Sequence, residues 1–95
     1  MEKNTLPNLE EKYQHFSQIQ AQFAETLENY QQNYQDFVQL RAFYGSDDWY
    51  ESRQTPNDAD AFSILSEDTL YNLFVEHSGL LEKMLDQSAK MYKSL

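Results

Sequence analysis

Six apolar residues stand at intervals of seven in the first half of the chain: Leu9, Phe16, Phe23, Tyr30, Phe37 and Tyr44. A second series runs four residues further on, through Tyr13, Gln20, Leu27, Tyr34 and Arg41. This alternation of three and four is the pattern of a helix that buries a long narrow seam, as in a coiled coil. The spacing predicts a first helix over residues 8–44, after a polar lead over 1–7, with Asn8 as N-cap and Glu10 and Glu11 in the first turn. Ile19, Ala24, Val38 and Leu40 flank the seam and widen its buried face. Gly45 fits the left-handed position that follows a helix C-terminus.

Ser46 then caps a short helix predicted over 46–53, with Asp47 and Asp48 in its first turn. Residues 54–65, with Pro56 and Asn57, read as a loop, and Phe62, Ile64 and Leu65 are expected to fold back onto the core. Ser66 caps a second long helix over 66–94, followed by the acids Glu67 and Asp68. Its seam is Leu70, Phe74, His77, Leu81, Met84, Ser88, Met91 and Leu95. Gly79, beside Ser78, marks either a bend or a close backbone approach. The expected architecture is all-α: one domain over 1–95, built as an antiparallel helical hairpin with a short helix at the connecting end.

The two long helices differ in length. Folded at the loop with Tyr44 near Leu70, the chain places Leu95 opposite about residue 19. Leu9, Tyr13 and Phe16 then overhang, and an apolar patch of that kind marks an interface. The expected partner is a second copy, giving a homodimeric four-helix assembly, or another protein. A repeat also runs through the first helix. Residues 12–23 (KYQHFSQIQAQF) match 33–44 (NYQDFVQLRAFY) at five of twelve positions. It reads either as a heptad constraint on a Gln- and Tyr-rich composition or as one face presented twice.

Composition narrows the function. The 95 residues hold 16 acids and 7 bases, a net charge of −9, which repels nucleic acid and anionic membranes. No cysteine is present, so disulfides and thiolate metal sites are excluded. The N-terminal residues carry no apolar run of signal-peptide type, and the expectation is a soluble cytoplasmic protein.

Part of the chain resembles a known family. The residues that carry the likeness are Phe43-Tyr44-Gly45-Ser46-Asp47-Asp48-Trp49, then Leu65-Ser66-Glu67-Asp68-Thr69-Leu70-Tyr71-Asn72-Leu73, then Leu80-Leu81-Glu82-Lys83-Met84. Over about residues 40–85 this is similar to a bacterial family of short proteins, domain of unknown function 4298. The resemblance implies a small helical protein and brings no activity with it. Its motif residues Tyr44, Gly45, Ser46, Trp49, Leu65, Ser66, Glu67, Asp68 and Tyr71 read as mainly structural.

No catalytic constellation, cofactor motif or metal-ligand set is legible. Asp47, Asp48, Glu51, Asp58, Asp60, Glu67 and Asp68 crowd the hairpin tip, where hard cations take such ligands, but the spacing matches no calcium loop. Four of the seven fall in first turns, where the helix dipole accounts for them. His77 lies on the seam as a packing residue, and Trp49 reads as a plug over the end of the core. The favoured expectation is a non-enzymatic protein–protein interaction module. Its alternatives are an acidic regulator or nucleic-acid mimic that occupies a basic surface, and a cation-binding protein that uses the acidic tip.

Overall fold

The computed structural model describes residues 5–95. Every element among them is helical: α1 (Leu6–Gln32), α2 (Tyr34–Phe43), α3 (Asp47–Arg53), α4 (Pro56–Ala61), a 3₁₀ turn (Ser63–Leu65) and α5 (Glu67–Lys93). The chain divides into two compact units, Met1–Phe37 and Val38–Leu95.

The first unit is mostly α1, which opens earlier than its sequence predicts. Thr5 occupies the N-cap position and Pro7 lies inside the first turn. Proline suits that turn, because its fixed φ is already helical and its missing N–H has no partner to lose there. Asn8 is therefore inside the helix, and Glu10 and Glu11 follow its first turn. Of the expected lead over 1–7, residues 1–4 lie outside the described residues.

The single helix expected over 8–44 is interrupted at Asn33. Its N–H still reaches the Asn29 carbonyl at 3.1 Å, but its side-chain amide reaches the same oxygen at 2.8 Å. Asp36 N–H then bonds back to the Asn33 carbonyl at 3.0 Å, and α2 begins. An asparagine side chain that competes for a backbone acceptor is a known helix interrupter. Just beyond the break, the Tyr34 and Phe37 rings stack at 5.4 Å.

The second unit carries the buried residues. α2 ends in a turn closed by Ser46 N–H donating to the Phe43 carbonyl at 3.0 Å, with Gly45 at φ 78°. Ser46 and Ser66 cap α3 and α5: each hydroxyl accepts a backbone N–H, from Trp49 and Thr69 respectively, at 3.2 Å. Residues 54–65 are more ordered than a loop. Pro56 opens α4, where Thr55 and Asp58 carbonyls accept from Ala59 and Phe62 at 3.0 Å. A proline in the first turn nucleates even this short helix, which the loop-forming residues Pro56 and Asn57 conceal in the sequence.

Leu65 is buried and Ile64 half-buried, but Phe62 stays exposed, contrary to its expected return to the core. The extended backbone at Phe62 (φ −120°, ψ 113°) separates α4 from the 3₁₀ turn. Trp49 and Leu70 are 3% and 2% exposed, and with Leu65 and His77 they form the small core. Along α5, Leu70 and His77 are buried and Phe74 and Met84 half-buried, but the seam positions Leu81, Ser88, Met91 and Leu95 are exposed, so the expected seam is covered only in part and mainly near the start of the helix.

Gly79 makes no close approach within the described residues: a Cβ built there meets nothing within 4 Å. α5 runs through it without interruption. The two glycines therefore differ in what they do. Gly45→Ala is expected to lower stability by about 1 kcal/mol, because an L-residue resists the left-handed backbone. Gly79→Ala is expected to raise it by about 1 kcal/mol through helix propensity. Denaturant titrations of the two variants, read as shifts of the midpoint in opposite directions, check both.

Candidate functional site

Two features stand out on the described surface, and each is held within one unit. The first is the end of α2, with α3 and the start of α5, gathered around Trp49. The Ser46 cap fixes the first turn of α3 and so points the indole inward. Its Nε1–H donates to the Ile64 carbonyl at 3.0 Å, which satisfies a buried donor and ties α3 to the 3₁₀ turn. Tyr44 packs on the same indole, ring centres 4.9 Å apart, and meets Phe74 edge-on at 5.5 Å. Its hydroxyl reaches the Glu67 carbonyl at 3.4 Å, a long bond. Tyr50 closes another edge of the indole at 5.0 Å.

Arg53 completes this cluster. Its guanidinium carbon sits 4.5 Å from the Trp49 ring centre, and Nη2 lies 3.5 Å from a Glu67 carboxylate oxygen. The sequence shows Arg53 only as the lone base among acids; nothing in its spacing announces that it covers the tryptophan. Of the motif residues, Tyr44, Gly45, Ser46, Trp49, Leu65, Ser66 and Glu67 come together here. Asp68 follows Ser66 in the first turn of α5, and Tyr71 is exposed on the same helix. These contacts are all between residues of the tip itself.

The acidic residues of the tip do not assemble into a ligand set. Among the described residues no three His, Cys, Asp or Glu side chains are grouped so as to hold a metal ion. Asp47 and Asp48 occupy the first turn of α3, and Glu67 and Asp68 that of α5. The helix dipole is sufficient reason for carboxylates in those places. No described helix is long and apolar enough to cross a membrane.

The second feature is the face of α1. No residue of this helix is buried. Leu9, Tyr13 and Phe16 are exposed as expected, but so are Leu6, Ile19, Phe23, Leu27 and Tyr30, so the exposed stripe is longer than the three-residue overhang read from the sequence. Tyr13, Phe16, Ser17, Gln20 and Ala21 line a cleft of about 360 Å³ on the helix surface. Leu9, Tyr13 and Phe16 thus share one exposed helical face; the tip motif forms a separate, internally satisfied cluster.

The fold and these features define a small all-helical protein with a tryptophan-centred cluster and an aromatic-faced helix. Residues 6–87 match the family model described as Domain of unknown function (DUF4298), and the chain belongs to that family. A comparison with curated proteins returns no match.

The contact geometry separates the two roles of Arg53. Its ion pair joins side chains 31% and 73% exposed, and such a pair contributes little. The cation over a buried indole contributes about 1 kcal/mol, together with the packing of its stem. Arg53→Ala is therefore expected to lower stability by about 1 kcal/mol or more, and Glu67→Gln by less than about 0.5 kcal/mol. Urea unfolding followed by the fluorescence of the single tryptophan measures both.

Proposed function

We propose that this protein is a non-enzymatic protein–protein association module that acts in the cytoplasm through the aromatic face of α1. The observation that carries this reading is the exposure of that face: Tyr13 and Phe16 are 67% and 64% exposed on a helix with no buried residue. A contiguous apolar stripe of this kind is characteristic of a surface made to be covered. Family membership adds no activity to weigh against it.

In its finer form, this reading is an antiparallel helical hairpin that pairs with a second copy. α5 carries its own exposed apolar residues, Leu80, Leu81, Leu85, Met91 and Tyr92, toward its C-terminal end. Leu9, Tyr13 and Phe16 remain for a second copy, and the assembly becomes a two-fold four-helix dimer. Apolar contact of this type tolerates salt, whereas binding through the acidic tip to a basic surface weakens steeply with it.

Sedimentation of the intact chain at tens of micromolar distinguishes the outcomes. The expected result is a dimer that persists in 1 M salt and becomes monomeric with Phe16→Glu. A monomeric wild-type chain would remove the proposal, as would a Phe16→Glu variant of unchanged mass.

A further inference from the structure

The association surface also has a definite orientation and register. Resting on the reading just given, we infer that α1 pairs with α1 of a second copy in antiparallel sense. The two-fold axis passes between residues 14 and 15, so that Tyr13 of each copy lies against the partner's Phe16.

The first ground is the shape of the helix surface. Tyr13, Phe16, Ser17 and Gln20 stand at i, i+3, i+4 and i+7, the four corners of the hole that receives a side chain in knobs-into-holes packing. They line the 360 Å³ cleft, with Ala21 beside them, and Ser17 and Ala21 keep one wall low enough to admit a ring. Heptad geometry sets seam residues of antiparallel helices opposite one another only in steps of seven. The step centred between residues 14 and 15 brings the partner's Tyr13 to the level of this hole, and the relation is reciprocal. It also sets Leu9 opposite the partner's Gln20 and Leu6 opposite the partner's Phe23.

The second ground is where apolar surface is most available. Leu6, Tyr13, Phe16 and Phe23 are 55–67% exposed, against 36–41% for Leu27 and Tyr30. At about 200 Å² per large side chain, Leu6, Leu9, Tyr13, Phe16, Ile19 and Phe23 offer roughly 650 Å² per copy. Complete cover of these residues in both copies would bury at most roughly 1,300 Å², the lower end of the range of specific interfaces.

The third ground is charge. Two chains of net charge −9 associate only where their acids stay apart. In this register Glu10 faces the partner's Ser17, and Lys12 faces the partner's Ile19. Glu11 and Glu25 lie on the side of α1 away from the seam. A parallel pair would instead bring Glu10 and Glu11 of both copies to one end, beside two aligned helix dipoles.

The chain has no cysteine, so one label can be placed at a time. Nitroxides on Glu10→Cys and, separately, on Gln31→Cys occupy the same flank of the seam. With a rise of 1.5 Å per residue, the antiparallel register separates the paired labels along the axis by about 14 Å and about 50 Å respectively. Double electron–electron resonance is expected to give one short and one long distance. Ser17→Leu, which adds apolar surface but fills the hole, is expected to weaken the dimer by about tenfold or more. A dimer with short distances at both sites is parallel and overturns the orientation while the association reading stands. Any other pair of distances, or a Ser17→Leu dimer as tight as wild type, overturns the register. A monomer with no dipolar signal at either site defeats the association reading itself.

Discussion

An isolated amphipathic helix gains little from its own hydrogen bonds; most of its stability comes from covering its apolar face. α1 is 27 residues long and carries aromatic rings on a narrow stripe, yet none of its residues is buried. Local sequence accounts for its being helical, through glutamines, alanines and a proline placed in the first turn. It does not account for seven-residue spacing maintained by large rings. Seven-residue spacing of this kind is the pattern of a helix that packs along another, and it is the ground of the proposal made for α1.

The second unit solves the opposite problem. With few fully buried side chains, Val38–Leu95 relies on satisfied polar groups as much as on apolar area. Trp49 is the centre of that arrangement. Its indole fills the core, its N–H finds the Ile64 carbonyl, and Tyr44, Tyr50 and Arg53 cover its remaining faces. Two serine caps and one left-handed glycine set the directions in which α3 and α5 leave their turns. Tyr44, Gly45, Ser46 and Trp49, four residues of the expected motif, all take part in building this cluster.

Features that depend on neighbours in sequence are legible from residue type and position. Gly45, Ser46 and Ser66 act within a turn, and the roles of all three follow from residue type and position. The first half of the α5 seam is legible in the same way, because Leu70, Phe74 and His77 repeat at helical spacing; the same spacing continues through Leu81, Met91 and Leu95, which are exposed. Legibility failed where two local preferences compete. At Asn33 the heptad pattern continues, but the side-chain amide shares the Asn29 carbonyl with the backbone N–H, and the next bond, from Asp36 back to Asn33, spans three residues. At Pro56 a turn-forming residue also starts a helix, and only the surrounding backbone decides between the two. Phe62 is apolar, yet its extended backbone between two short elements leaves it at the surface. The Trp49–Ile64 bond and the placement of Arg53 are tertiary contacts with no periodic signal at all. For the candidate interface, spacing marked Leu9, Tyr13 and Phe16, and the surface of α1 adds the hole that Ser17 and Gln20 help to form.

If the aromatic face of α1 is held by a second chain, its backbone protection depends on protein concentration and that of the tip does not. Amide hydrogen exchange resolved along the sequence tests this directly, on the intact chain at two concentrations that bracket association. The account predicts that protection over residues 6–23 falls on dilution, while residues around Trp49, Leu65 and Leu70 exchange at an unchanged rate. Protection of α1 that is strong and independent of concentration would contradict it.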